Sequence, residues 1–165
     1  MKKAYAGLGN LGFLKEDLIM NHLHNAQFRP GPEDSLLYFT SQGNVRWQDP
    51  AAQGHHACVM THTSSRQNTQ LNYALPIWVK DRTQLYLSGW MRASRNTPVR
   101  LMLRYQKQDG TLVKEEQIAL TAGTEWQWKY QCRAIPQGAE QLRLSLHLAS
   151  PATLRLRAPR VFFWW

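Results

Sequence analysis

The sequence is poor in cysteine, in acidic residues and in long apolar runs, and each shortage closes off a class of protein. Two cysteines in 165 residues, Cys58 and Cys132, permit one disulfide at most, which excludes a small disulfide-stapled scaffold. Both sit in strand-like apolar patterns and read as reduced, buried thiols. No apolar run approaches the roughly 20 residues that a membrane-spanning helix needs. The stretch MKKAYAGLGNLGFLKEDLIM opens on Lys2 and Lys3 like a secretion signal. Gly7, Gly9, Asn10 and Gly12 then interrupt its apolar region, and Lys15-Glu16-Asp17 closes it early. The expectation is a chain without a secretion signal, virion-associated or cytoplasmic before release, whose action outside a cell would need another route.

Acidic residues number only eleven, against twenty Lys and Arg. Glu115 and Glu116 are adjacent, so on a strand they point to opposite faces and cannot flank one bond. There is no G-x-S-x-G and no phosphate-binding glycine loop. No catalytic residue is assigned. Six histidines are present, His22, His24, His55, His56, His62 and His147, but no cysteine or carboxylate spacing completes a zinc set. Neither a metal nor a cofactor is expected.

What is abundant is positive charge and indole. Net charge is +9. Residues 92–165 hold twelve Lys and Arg and five Asp and Glu, so most of the excess lies in the second half. Such a surface attracts polyanions: nucleic acid, acidic polysaccharide or an acidic protein. Nucleic-acid binding ranks only third among the candidate functions, since it rests on charge alone and the chain has no recognition helix and no nucleic-acid motif. Apolar residues make up 43% of the chain, enough to fold one domain with a proper core.

From Leu85 onward, short alternating segments recur between turn signals. LYLSGWMRA (85–93), VRLMLRY (99–105), LVKEEQIAL (112–120), LRLSLHL (142–148) and TLRLRAPRVFFWW (153–165) read as strands, the last interrupted at Pro159. Asp109-Gly110 suits a tight hairpin. Earlier candidates are LIMNHL (18–23), SLLYFT (35–40), HHACVMTHT (55–63) and QLNYALPIWV (70–79), with Gly31–Asp34 and Asp49-Pro50 as loops. The pattern predicts an all-β, antiparallel sandwich over residues 18–163 with little helix. A Gly-rich extension covers residues 1–17, and an aromatic tail covers Trp164 and Trp165.

In TEWQWKYQCRAIPQG (124–138), Trp126, Trp128, Tyr130 and Cys132 share one strand face, opposite a polar face. With so polar an opposite face, the aromatic row is expected to be mainly core. Trp47 lies in the polar stretch Gly43–Asp49, where a core role is less automatic, so it is the expected stacking residue. Arg100 with Arg104, Arg143 with His147, and Arg155 with Arg157 form pairs opposite the leucines. If these strands are neighbours they make a basic sheet face, with Arg100, Arg104, Arg143 and Arg155 as candidate ligand-binding residues. A solvated face that protects strand edges is the competing reading. Trp164 and Trp165 are unlike a solvated tail and are expected to be assembly contacts.

The order of elements resembles jelly-roll carbohydrate-binding modules of the family 4/9 type, within the wider galactose-binding-like sandwiches. The resemblance rests on Asn25-Ala26-Gln27-Phe28, Gly54 before the strand His55–Met60, and Tyr86-Leu87-Ser88-Gly89-Trp90-Met91-Arg92-Ala93. It extends through Asp109-Gly110, Thr124, Trp126 and Pro136. It implies a jelly roll that binds a glycan without catalysis. Family members often hold a structural calcium through acidic residues, where this chain has Arg29 and Ala158-Pro159-Arg160. Arginines cannot ligate calcium, so none is expected there. Two functions follow: a module binding an anionic glycan, or a structural or adaptor subunit of a larger assembly such as a phage tail or virion.

Overall fold

The structure, a computed structural model, describes residues 21–29, 31–32, 36–48, 56–64 and 68–164, with the Trp164 side chain left out. The Gly-rich stretch 1–17, the first half of the proposed 18–23 strand, the loop residues 33–34 and 49–50, His55 and Trp165 lie outside the described residues. Among the described residues, eleven strands run in chain order: β1 Phe39–Gln42, β2 Asn44–Gln48, β3 Ala57–His62, β4 Thr69–Tyr73, β5 Ile77–Trp78 and β6 Gln84–Ala93. They continue as β7 Thr97–Gln106, β8 Leu112–Ala122, β9 Gln127–Ala134, β10 Gln141–Leu148 and β11 Ala152–Trp164. No α-helix occurs among the described residues.

The strands form two antiparallel sheets. The first is ordered β1-β4-β10-β7-β8, with the two-residue β5 also paired to β10, and the second is ordered β2-β3-β11-β6-β9. All-β architecture and the sandwich are as the alternation predicts. Residues of one parity point inward from each strand. Leu142, Leu144, Leu146 and Leu148 of β10 are all buried, and across the ladder Leu142, Leu144 and Leu146 meet Tyr105, Leu103 and Leu101 of β7.

Two buried clusters fill the space between the sheets. One gathers Leu85, Leu103, Tyr105, Leu142 and Phe163. The other gathers Phe28, Cys58, Met60, Leu146 and Leu154. An apolar cavity of about 100 Å³ remains between the sheets, walled by Leu87, Met91, Leu101, Leu144, Leu146 and Leu156. Such walls suit no polar ligand.

Several boundaries differ from the sequence reading. Residues 21–23 are not strand, and residues 36–38 form a turn that delays β1 to Phe39. The 70–79 segment breaks at Ala74-Leu75-Pro76 into β4 and β5, because Pro76 cannot donate to a ladder. The polar stretch 43–49, not among the strand candidates, contains β2, and Gly43 takes φ 80° to turn β1 into it. The interruption at Pro159 is a register shift between Arg157 and Arg160, with Ala158 at φ 49°.

The largest correction concerns β9. Its aromatic row faces solvent, with Trp128 41% and Tyr130 64% exposed. Its polar row turns inward: Arg133 stands opposite the buried Leu85 and pairs with Glu116 of β8 at 2.7 Å, bridging the two sheets. The physical reason is position. β9 is an edge strand facing the edge strand β8, so its inner side meets water and a carboxylate rather than a closed core. Alternation reports two faces and does not say which is inside.

Cys58 is buried and points inward, where burial pushes its thiol pKa up. Cys132 lies on the outward row of β9 and meets Gln84 at 3.1 Å. Both are free, with two strands between them in the sheet order and on opposite faces.

Candidate functional site

The outward face of the first sheet is built by cross-strand register. Arg143 of β10 stands opposite Arg104 of β7, and His147 opposite Arg100. Three of the four arginines predicted from sequence therefore share one face. The fourth does not. Arg155 is on β11, in the other sheet, opposite Arg92.

Three successive rows cross this face. The first runs Arg143, Arg104, Glu115, with the Arg143 guanidinium donating to the Ala74 carbonyl at 3.0 Å. The second runs Thr40, Asn72, Ser145, Met102, Gln117. The third runs Gln42, Gln70, His147, Arg100, Ala119. Arg104 holds Glu115 at 3.0 Å, while Glu116 points the other way to Arg133, as adjacent residues on a strand must. The Ser145 hydroxyl and His147 ring share a 2.8 Å hydrogen bond, which restrains the imidazole on this face.

At one end of the rows stand two exposed aromatics. Trp78 of β5 is opposite Gln141 and 49% exposed. Its neighbour Ile77 is buried, so Trp78 points outward beside the Arg143 row. Tyr38, 42% exposed, accepts a backbone hydrogen bond from Ala74, the residue that Arg143 binds. Neither aromatic was singled out from sequence as a surface residue. For Trp78 a signal was there: Ile77 and Val79 are the apolar parity of the segment, and Trp78 falls between them.

Trp47, the predicted stacking residue, is placed elsewhere. It lies on β2 with its ring centroid 4.9 Å from Phe28 and 5.7 Å from Phe39, packed against the second core cluster. An aromatic in a polar stretch is pulled inward here because β2 covers one end of the sandwich, and a half-buried indole caps it.

His147 has its pKa lowered, first by burial and then by the Arg100 charge across the ladder. The unfolded chain takes up this proton near 6.5, at a higher pH than the native chain does. Stability from this group is thus complete above that value and lost as pH falls below it. A urea titration at pH 7.5 and 5.5 should show wild type losing more stability than His147→Gln. Equal losses would remove His147 from the account. Among the described residues, no group of three or more His, Cys, Asp or Glu could hold a metal ion.

No protein-family model matches the sequence. No curated protein matches it either. Solved structures do. The enzymatically active domain of bacteriophage CBA120 tailspike protein 4 superposes with a TM-score of 0.68 at 13% identity, over 87% of this chain and 21% of that one. The chain thus spans about a fifth of the tailspike chain. A family 61 carbohydrate-binding module, TmCBM61, solved in complex with β-1,4-galactotriose, superposes with a TM-score of 0.62 at 14% identity, over 87% of this chain and 99% of that one. A family 4 carbohydrate-binding module superposes with a TM-score of 0.57 at 13% identity, covering 86% and 99%. The fold is that of carbohydrate-binding modules of more than one family, and the likeness does not single out family 4/9.

Proposed function

We propose that this chain is a non-catalytic carbohydrate-binding module that takes an anionic glycan along the outward face of its first sheet. The observation that carries the reading is the register of β10 and β7. It sets Arg143 on Arg104 and His147 on Arg100, among the amides and hydroxyls of Gln70, Asn72, Ser145 and Gln117. A sugar presents C–H faces to flat rings and hydroxyls to mixed donors and acceptors, and this face offers both. Trp78 would stack the terminal ring. Arg143 and Arg100 would donate to carboxylate or sulfate groups, for which the guanidinium fork is suited. The similarity to a module solved with a galactotriose supports the sugar, and the arginines support the charge.

Titrating the full chain against neutral and acidic oligosaccharides of equal length tests this. Affinity should favour the acidic members and fall as salt rises. Tight, salt-insensitive binding to a neutral glycan would contradict the anionic reading while leaving a sugar site standing. No binding across the panel would remove both.

The likeness to a domain within a much longer phage tailspike favours a second reading, a structural part of a larger assembly. Trp164 and Trp165 would then be contacts. Deleting both should leave the sandwich folded and abolish incorporation, whereas a glycan module would keep its sugar binding.

A further inference from the structure

The second sheet carries a separate chemistry on its own outward face. Its five strands contain no Asp or Glu at any position. Register sets the rows. Arg46, Val59, Arg155 and Arg92 form one, Arg157, Trp90 and Trp128 the next, and Arg160, Ser88 and Tyr130 a third. Guanidiniums lie over the indoles: Arg157 is 4.7 Å from the Trp126 ring centroid and 5.3 Å from that of Trp90, Arg92 is 5.4 Å from Trp126, and Arg160 is 5.9 Å from Trp128. Stacking of this kind holds a guanidinium flat and leaves its N–H edge to bind an anion. Burial and the charges of Arg92 and Arg46 lower the pKa of Arg155, so this corner already carries positive charge at a cost.

Two parallel tracks result. Trp128 and Tyr130 form an aromatic track along edge strand β9, two residues apart and so about 7 Å. Arg155, Arg157 and Arg160 form a cationic track on β11, two strands further in, with β6 between the tracks. Equal pitch in both tracks matches a linear polymer that alternates flat groups with anions, rather than a globular acidic patch. The donor and acceptor inventory narrows it further. Sugar hydroxyls need acceptors, and the outward residues of these three rows on β6, β9 and β11 offer only the Ser88 and Tyr130 hydroxyls, with no carboxylate or amide. Phosphates only accept and aromatic bases stack by their faces, which is what arginines and open rings provide. An isologous contact with a second copy would join two faces whose strands hold no carboxylate, leaving their arginines unneutralised.

We infer that this face binds single-stranded nucleic acid, with bases on Trp128 and Tyr130 and phosphates on the β11 arginines. It stands on the sheet opposite the proposed glycan face and is independent of it.

The probe is a labelled 15-nucleotide oligothymidylate titrated against the full chain, followed by anisotropy and by tryptophan fluorescence. Binding should quench tryptophan emission and weaken with salt, with a log–log slope of about −2 for three phosphates. Tyr130→Ala should lose about tenfold in affinity and Tyr130→Phe should retain it. Arg160→Ala should reduce the salt slope by about 0.7. Arg100→Glu with Arg104→Glu, on the other sheet, should change affinity less than about threefold, the long-range charge effect alone. Tyr130 and Arg160 are exposed, so these variants fold, and unchanged thermal midpoints will verify it. Three results each overturn the inference: no binding of the oligonucleotide, equal binding of a duplex of the same length, or binding lost equally through the Arg100 and Arg104 changes. Tighter binding of a sulfated polysaccharide, with no quenching by the oligonucleotide, would assign the face to that polymer instead.

Discussion

Phe28→Ala should destabilise the fold by about 3–5 kcal/mol, and Trp128→Ala by only about 1 kcal/mol. Residue size alone predicts the reverse order, since the indole is larger. Position decides. Phe28 is fully buried, 4.9 Å from the Trp47 ring and 5.5 Å from Phe39, at the end of the sandwich that β1 and β2 close. Removing it leaves a cavity the two neighbouring rings cannot fill without leaving their own contacts, so both the transfer loss and the cavity penalty apply. Trp128 instead lies on the outer side of an edge strand, in edge contact with Trp90 at 5.5 Å. Its loss forfeits one aromatic pair and part of a cation–π contact, and water replaces the ring. Urea denaturation of both variants with wild type reads the difference directly. Equal costs would mean that the faces of β9 are the other way round. In Phe28→Ala the Trp47 indole should also become wetter, which a red shift in tryptophan emission would report.

Trp78→Ala should weaken glycan binding by about 30-fold, and Arg143→Ala by a similar factor, with thermal midpoints near wild type. About 2 kcal/mol is the usual loss when an anchoring aromatic or arginine is truncated at a binding surface. Stability should hold because Trp78 is half exposed and β5 adds only two residues to the sheet. The double variant tests whether the two act together: Arg143 donates to the Ala74 carbonyl, so it also positions the bend that leads into β5. Loss in the double variant smaller than the product of the single losses would show that coupling. A glycan affinity unchanged by Trp78→Ala would take the aromatic end out of the site.

Much of the fold was legible because alternation is strongest where both sheets are widest. β6, β7, β10 and β11 were each placed within a few residues, and the leucines of β10 point inward as read. The site was legible in part for the same reason. Arg100, Arg104 and Arg143 share a face because period two fixes side, and β10 lies beside β7. Sheet membership is a long-range property that no local pattern encodes, so Arg155 was assigned to that face and belongs to the other. Edge strands were the other blind spot. β9 reverses its faces because its polar side finds Glu116 across an open edge. Trp47 turns inward because β2 is a strand whose partner β3 needs covering. Trp78 was not singled out from sequence, although the parity of Ile77 and Val79 pointed it outward.

The most direct test of a glycan site on the first sheet is chemical-shift mapping of the labelled chain with the best-binding acidic oligosaccharide. The account predicts perturbations at Arg100, Arg104, Arg143 and His147, at the side-chain amides of Gln70 and Asn72, and at the Trp78 indole, with the second sheet silent. Perturbations concentrated on Trp128, Tyr130 and Arg160 instead, or none on either face with any oligosaccharide, would contradict it.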